Sequence, residues 1–427
     1  MKIKLPYGHS GLDVELPANT DVISARFVPG IADEPAAILA ALRSPIGSAA
    51  LSAKVQPGDK VVLVHSDITR ATPNDRLLPV ILRELEAAGI ARKDITLLNG
   101  LGTHRPQTEA ELRTMLGDFI VDNYRCEQHN GKDDASLVSI GKTSLGHSVR
   151  VNRLLIESEV RILTGFIEPH FFAGFSGGPK AVLPALAGAD SVLTNHSYQM
   201  IGHPNATWGV TEGNPIWEEM REVALRINPT FLVNVTMNAA KQITGIFAGD
   251  LLAAHKAGCE FVRETAMVAV PEPYDIAITT NGGYPLDQNL YQAIKGVSAA
   301  SRITRRGGAI IMCAACQDGV PNHGGYARLM AEAGSPRRAL EMVAQPGFSA
   351  PDQWNAQIQS MILLDTDVYV YSDGVTPEQI SGVLYKPCPD VGAMVAHLQS
   401  VYGPHARICV IPEGPQTVAY VRHPVAL

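Results

Sequence analysis

VVLVHSDITRATPNDRLLPVILRELEAAGIARKDITLLNG, residues 61–100, carries the pattern that decides the fold class. Val61–Val64 is apolar at every position, as a strand buried on both faces requires. A polar turn follows, then the amphipathic stretch LLPVILRELEAAG, which Gly89 closes as a helix stop. Ile95–Leu98 is a second apolar run. Strand, helix and strand in this order make a βαβ unit with parallel strands. Similar Val- and Ile-rich runs recur at 160–164, 276–279, 309–313, 368–371 and 408–411, each followed by a turn and a longer amphipathic segment. The expected fold class is α/β: two α/β domains with largely parallel sheets and a ligand cleft between them. Residues 1–20 read differently, because KIKLPYG and LDVELP flank His9-Ser10-Gly11 as an antiparallel hairpin would. PEPYD at 271–275 leads into the run at 276, so the linker is placed at 268–275 and the domains at 1–270 and 271–427.

At 427 residues the chain is long enough for two or three domains, and 46% hydrophobic against 18% charged residues excludes a disordered chain. The net charge of −7 with no basic block disfavours a nucleic-acid partner. No run approaches the roughly 18 apolar residues of a membrane span. The segment MKIKLP lacks the apolar core of a signal peptide, and six scattered cysteines do not form a disulfide framework, so a cytoplasmic location is expected.

In open α/β folds ligands bind at the carboxyl ends of strands. Those positions are rich in reactive side chains here: His65 to Arg70 after the first run, Asn99 to Pro106 after the second, Gly165 to Lys180 after the third and Asn281 to Gly296 after the fourth. Alone, each Asp, Arg or His is more often a cap or a surface charge than a site residue. Gly174–Lys180 could be a tight turn with a solvated lysine, but Gly-Gly-Pro-Lys also suits backbone that approaches something closely before presenting one amine. The four sets together favour one site. Arg105, Tyr284, Asn289 and His323 are further polar candidates that could equally be structural.

Several signatures fail. Ile140-Gly141-Lys142-Thr143-Ser144 resembles the end of a phosphate-binding loop, but Ser136 stands where the first glycine belongs, which leaves a turn. No G-x-G-x-x-G opens the first βα unit. Cys313-x-x-Cys316 lacks a second pair for zinc and reads as buried small side chains. No H-E-x-x-H supports a zinc hydrolase. In the surviving set, His104 and His170 could supply acid and base on opposite faces of one substrate carbon, and Arg70 and Lys295 could hold a carboxylate. His196, beyond Lys180, is a possible ligand for nickel, zinc or copper. Such a set suits inversion beside a carboxylate.

SDITRATP (66–73), GLGTHRPQT (100–108), GFIEPHFFAGFSGGPK (165–180), TNHS (194–197), NGGYPLDQNLYQAIKG (281–296), GGAIIMCAACQDG (307–319) and Gln353-Trp354 occur in an order and spacing that resembles the nickel-dependent lactate racemase family of 2-hydroxyacid racemases and epimerases, over almost the whole chain. The resemblance implies an isomerase that uses a nickel-pincer nucleotide, the nickel complex of pyridinium-3,5-bisthiocarboxylic acid mononucleotide, made by separate cofactor-synthesising enzymes. It implies a tether at Lys180, nickel ligation by His196 and acid/base roles for His104 and His170. Asp67, Arg70, Tyr291, Gln292 and Lys295 match residues of the cofactor site, with Arg70, Lys295 and Trp354 also lining the substrate. Ala71 stands where the family pattern has proline. The expected reaction is racemisation or C2 epimerisation of a small, lactate-like 2-hydroxyacid by reversible hydride transfer through a 2-oxo acid. The alternative is a non-catalytic carboxylate- or nucleotide-binding protein that retains the fold.

Overall fold

The computed structural model describes residues 1–321 and 325–422; His323 lies outside the described residues. The chain divides into two compact units: Phe27–His196 with Asn205–Glu264, and Met1–Arg26 with Ser197–Pro204 and Thr265–Leu427.

The first unit is built on a six-stranded sheet of β1 (Val61–Ser66), β2 (Ile95–Gly100), β3 (Arg125–Gln128), β4 (Val160–Phe166), β5 (Phe231–Met237) and β6 (Ile243–Gly249), in the order β6-β5-β4-β1-β2-β3. Every neighbouring pair is parallel except β5 with β6. The stretch 61–100 forms the expected βαβ unit. Its helix, α1 (Asn74–Ala87), starts just after Pro73, carries Asp75 in its first turn where the helix dipole favours an acid, and ends before Gly89 at φ +92°. Leu77, Leu78, Ile81, Leu82 and Leu85 are buried on it and join Val61, Leu63, Ile95, Leu97 and Ile162 from the strands in one core. Each such side chain contributes roughly 1.5–3 kcal/mol of burial, and Leu63→Ala should cost about 2–5 kcal/mol. Three further helices matter for the site: α2 (Ala189–Asn195), α3 (Pro215–Ile227) and α4 (Leu251–Ala266).

The second unit is built on β7 (Tyr274–Thr280), β8 (Thr304–Cys313), β9 (Asp367–Tyr371), β10 (Lys386–Pro387) and β11 (Ile408–Ile411), ordered β10-β9-β8-β7-β11, with Asp21–Val22 added beyond β11. All five pairings are parallel. The first residues form the expected hairpin, Lys2–Leu5 against Leu12–Glu15, and Leu5, Val14 and Leu16 pack into the same core as Ile276, Ile278, Ile311 and Val410. Helices α5 (Leu290–Ser301) and α6 (Gln353–Leu363) carry the residues of interest in this unit.

The phosphate-loop look-alike is the end of an antiparallel strand, Leu137–Lys142 against Ser148–Asn152, and Thr143 donates to buried Glu219. Cys313 and Cys316 are buried thiols, and desolvation pushes Cys316 up to about 12, so both act as compact apolar fillers. No helix among the described residues is long and apolar enough to cross a membrane.

Candidate active site

Adjacent parallel strands β1 and β2 end side by side, with His65 opposite Asn99 and Ser66 opposite Gly100. The chain leaves β1 in a turn closed by the Arg70 N–H on the Asp67 carbonyl, 3.1 Å. Asp67 is buried, and its Oδ1 accepts from the Thr69 N–H (3.1 Å) and hydroxyl (2.7 Å). Its Oδ2 meets His104 Nδ1, from the loop after β2. Burial alone would raise the Asp67 pKa, but His104 and then Arg70 oppose it and hold the carboxyl down at about 2. An ionised Asp67 fixes the proton of neutral His104 on Nδ1 and leaves Nε2 with its lone pair. That loop is tied to the segment beyond Lys180, since the Gly102 N–H donates to the Ala185 carbonyl, 2.8 Å.

The stretch after β4 doubles back on itself: Pro169–His170 pairs with Gly174–Phe175, and a short 3-10 turn, Gly178–Ala181, presents Lys180. His170 is buried, and its Nδ1 faces the N–H groups of Ala173 (3.2 Å) and Phe172 (3.5 Å). Phe172 is the centre of the group. Its ring lies 4.5 Å from the His170 ring, 4.8 Å from that of His196 and 5.6 Å from Lys180 Nζ. His196 caps the C-terminus of α2. Burial, then the charge of Lys180, pulls its pKa down to about 3, so the imidazole is neutral and able to coordinate a metal at ordinary pH.

In the second unit, Tyr291, Gln292 and Lys295 occupy the first turns of α5, partly buried, with the Asn289 side chain capping the helix through the Gln292 N–H, 3.0 Å. The start of α6 meets them: Tyr291 donates to Asp352 (3.1 Å) and Asn355 donates to the Tyr291 carbonyl (3.2 Å), which sets buried Trp354 between those two contacts along the chain. The strand-end loop is shaped by Asn281, which accepts from the Gly296 N–H (3.0 Å), and by Asp287, which accepts from the N–H groups of Gly8 (2.8 Å) and Ala315 (3.1 Å). Of the further candidates, Asn289 is a helix cap, Arg105 pairs with Glu111 (2.6 Å) and Tyr284 stacks on His9 at 4.0 Å. An open pocket of ≈300 Å³ in this unit is lined by the hairpin tip and by Ala315, Gln317 and Asp373, and by none of the expected site residues.

Models of the lactate racemase N-terminal and C-terminal domains match residues 7–209 and 270–419. The chain belongs to the lactate racemase family. A lactate racemase of Thermoanaerobacterium thermosaccharolyticum is 35% identical over 418 residues, 96% of this chain and 97% of that one. Another from Lactiplantibacillus plantarum is 39% identical over 375 residues, 87% and 88% of the two chains. The structure of the lactate racemase apoprotein from T. thermosaccharolyticum superposes with a TM-score of 0.91 at 34% identity, covering 99% of this chain and all of that one. A Thermotoga maritima protein shares the fold, with a TM-score of 0.69 at 18% identity over 93% of this chain and 100% of that one.

Within this lactate racemase family member, the structure groups Asp67 with His104 and Arg70, and His170 with Lys180 and His196; separately it groups Tyr291, Gln292 and Lys295 on one helix, with Trp354 on a neighbouring one. Phe172 and two buried polar residues beneath its loop, Asn234 and His255, were not apparent from the sequence motifs. The signal for Asn234 was present as one amide inside the apolar strand FLVNVTM.

Proposed function

We propose that the protein is an isomerase that racemises lactate or a closely similar small 2-hydroxyacid. The observation that carries the reading is the gathering of His170, Lys180 and His196 around Phe172, in a chain whose relatives are lactate racemases. A buried amine beside a neutral imidazole suits a prosthetic group attached through nitrogen together with a metal held by His196, so the residues present fit a nickel-pincer nucleotide tethered at Lys180. Asp67, Arg70, Tyr291, Gln292 and Lys295 would hold the rest of it. When bound, that group supplies the acceptor that takes the C2 hydride of the substrate and returns it, by way of a planar 2-oxo acid.

The other roles belong to side chains of this chain. His104 Nε2 takes the hydroxyl proton of one enantiomer, because Asp67 keeps the opposite nitrogen protonated. His170 serves the other enantiomer, whose hydroxyl is on the opposite face. Arg70 and Lys295 hold the carboxylate while the rest of the substrate turns, and Trp354 keeps water from the reacting carbon. Residues 1–270 carry the two histidines, the tether and the metal ligand, and residues 271–427 contribute Tyr291, Gln292, Lys295 and Trp354.

The test is coexpression with the cofactor-synthesising enzymes, followed by chiral chromatography on a panel of enantiopure 2-hydroxyacids and by metal and sulfur analysis. Interconversion of lactate enantiomers with stoichiometric nickel supports the reading. Zinc alone, or binding without turnover, favours a hydrolase or a carboxylate-binding protein instead.

A further inference from the structure

We infer that Asn234 and His255 are positioning residues for Lys180, and that they act by gripping the two peptide groups on either side of Gly177. Asn234 is fully buried in β5, where a polar side chain costs free energy unless its hydrogen bonds are made. Its Oδ1 accepts from the Gly178 N–H at 2.8 Å. His255 is buried on α4, and its Nε2 lies 3.0 Å from the Ser176 carbonyl. A carbonyl only accepts, so this contact puts the His255 proton on Nε2. One clamp residue thus holds the carbonyl before Gly177 and the other holds the N–H after it.

The glycines record the same fit from the opposite side. Gly177 has φ +75°, and a Cβ there would stand 2.6 Å from Asn234 Oδ1. Gly178 has φ +52°, and its Cβ would stand 2.5 Å from the His255 ring. The backbone that these glycines allow to approach is approaching two protein side chains. Two residues on, Lys180 donates its own N–H back to the Gly177 carbonyl, 3.2 Å, so the clamped turn sets where the lysine stem begins. Ser176 extends the brace to β4: its hydroxyl donates to the Phe166 carbonyl (2.7 Å) and accepts from the Glu168 N–H (2.9 Å). A purely structural role for the pair would lower stability and leave the lysine amine unchanged.

This inference rests on reading Lys180 as the attachment point, and its test is read first on cofactor-free, full-length protein. Lys180 is labelled with a limiting amine-acylating reagent, and its peptide is compared by mass spectrometry with that of exposed Lys256 in the same sample. Asn234→Leu should change the Lys180 to Lys256 ratio about fivefold, the factor expected from one lost hydrogen bond. Asn234→Asp keeps an acceptor at the same place and should restore the parent ratio. His255→Phe should act like Asn234→Leu, and it decides the matter if the leucine variant does not fold. Folded variants that label Lys180 at the parent ratio, or an aspartate that fails to restore it, overturn the clamp. On coexpression, the adduct on the Lys180 peptide should fall in Asn234→Leu. If the loaded parent carries no adduct there, the attachment reading fails alone, and the labelling ratios still decide the clamp.

Discussion

The two histidines assigned to proton transfer occupy opposite kinds of surroundings. The His104 side chain is 38% exposed and is backed by an ionised carboxylate that orients it. His170 is 6% exposed, packed against Phe171 and Phe172, and faces backbone N–H groups at Nδ1 instead of an acid. The first arrangement leaves Nε2 ready to accept a proton and stabilises the imidazolium that results. The second leaves neutral His170 with its proton on Nε2, where it donates to an oxygen, so its service as a base needs the long Nδ1 contacts with Phe172 and Ala173 to give way. The two rings would therefore meet mirror-image substrates from unlike settings.

The widest test of that contrast removes each ring in turn. His104→Ala and His170→Ala should each lower turnover about 10²–10⁴-fold, the usual contribution of general acid–base catalysis, with nickel content and the Lys180 adduct unchanged. A variant that turns over normally when loaded would dissolve the pairing. Asp67→Asn should lower turnover about 10²-fold, and adding it to His104→Ala separates the two roles given to Asp67, because the part exerted through His104 costs nothing more. A further loss in the double variant would mean that Asp67 acts on substrate or cofactor directly.

Acid titration probes the floor beneath both regions. His65 lies on the strand before Asp67 and His255 beneath Ser176; burial lowers each pKa to about 4. The folded state therefore resists protonation that the unfolded chain accepts near pH 6.5. Their contribution to stability is complete above that pH and is lost as the pH falls toward 4, with a slope on the order of 1 kcal/mol per pH unit for each histidine. Denaturant midpoints measured from pH 7 to 4 should fall accordingly, and His255→Gln should flatten the curve. An unchanged slope would place the acid sensitivity elsewhere. Phe172→Leu is the mildest change: about 1–2 kcal/mol of stability, measured by thermal unfolding, together with weaker cofactor loading.

Much of this was legible in residues 61–100. A strand buried on both faces, a helix stopped by Gly89 and a second buried strand leave little choice but a parallel sheet, and the polar residues at the strand ends named nearly every group the structure brings together. What the sequence withheld was pairing across long separations. Asp67 and His104 lie 37 positions apart and become partners because β1 and β2 are neighbours. Phe172 looked like one of three aromatic residues in a loop, and only its packing makes it the centre. Asn234 and His255 sit in β5 and α4, and the turn they grip lies 56 and 79 residues away in the chain. The Gly-Gly pair signals close approach in the sequence, and the fold supplies the partners, Asn234 and His255.

The central claim is tested most directly by incubating the nickel-loaded protein separately with L-lactate and D-lactate and following both by chiral chromatography. The account predicts that each sample converges on equal amounts of the two enantiomers. Protein with stoichiometric nickel that leaves both enantiomers unchanged would contradict it.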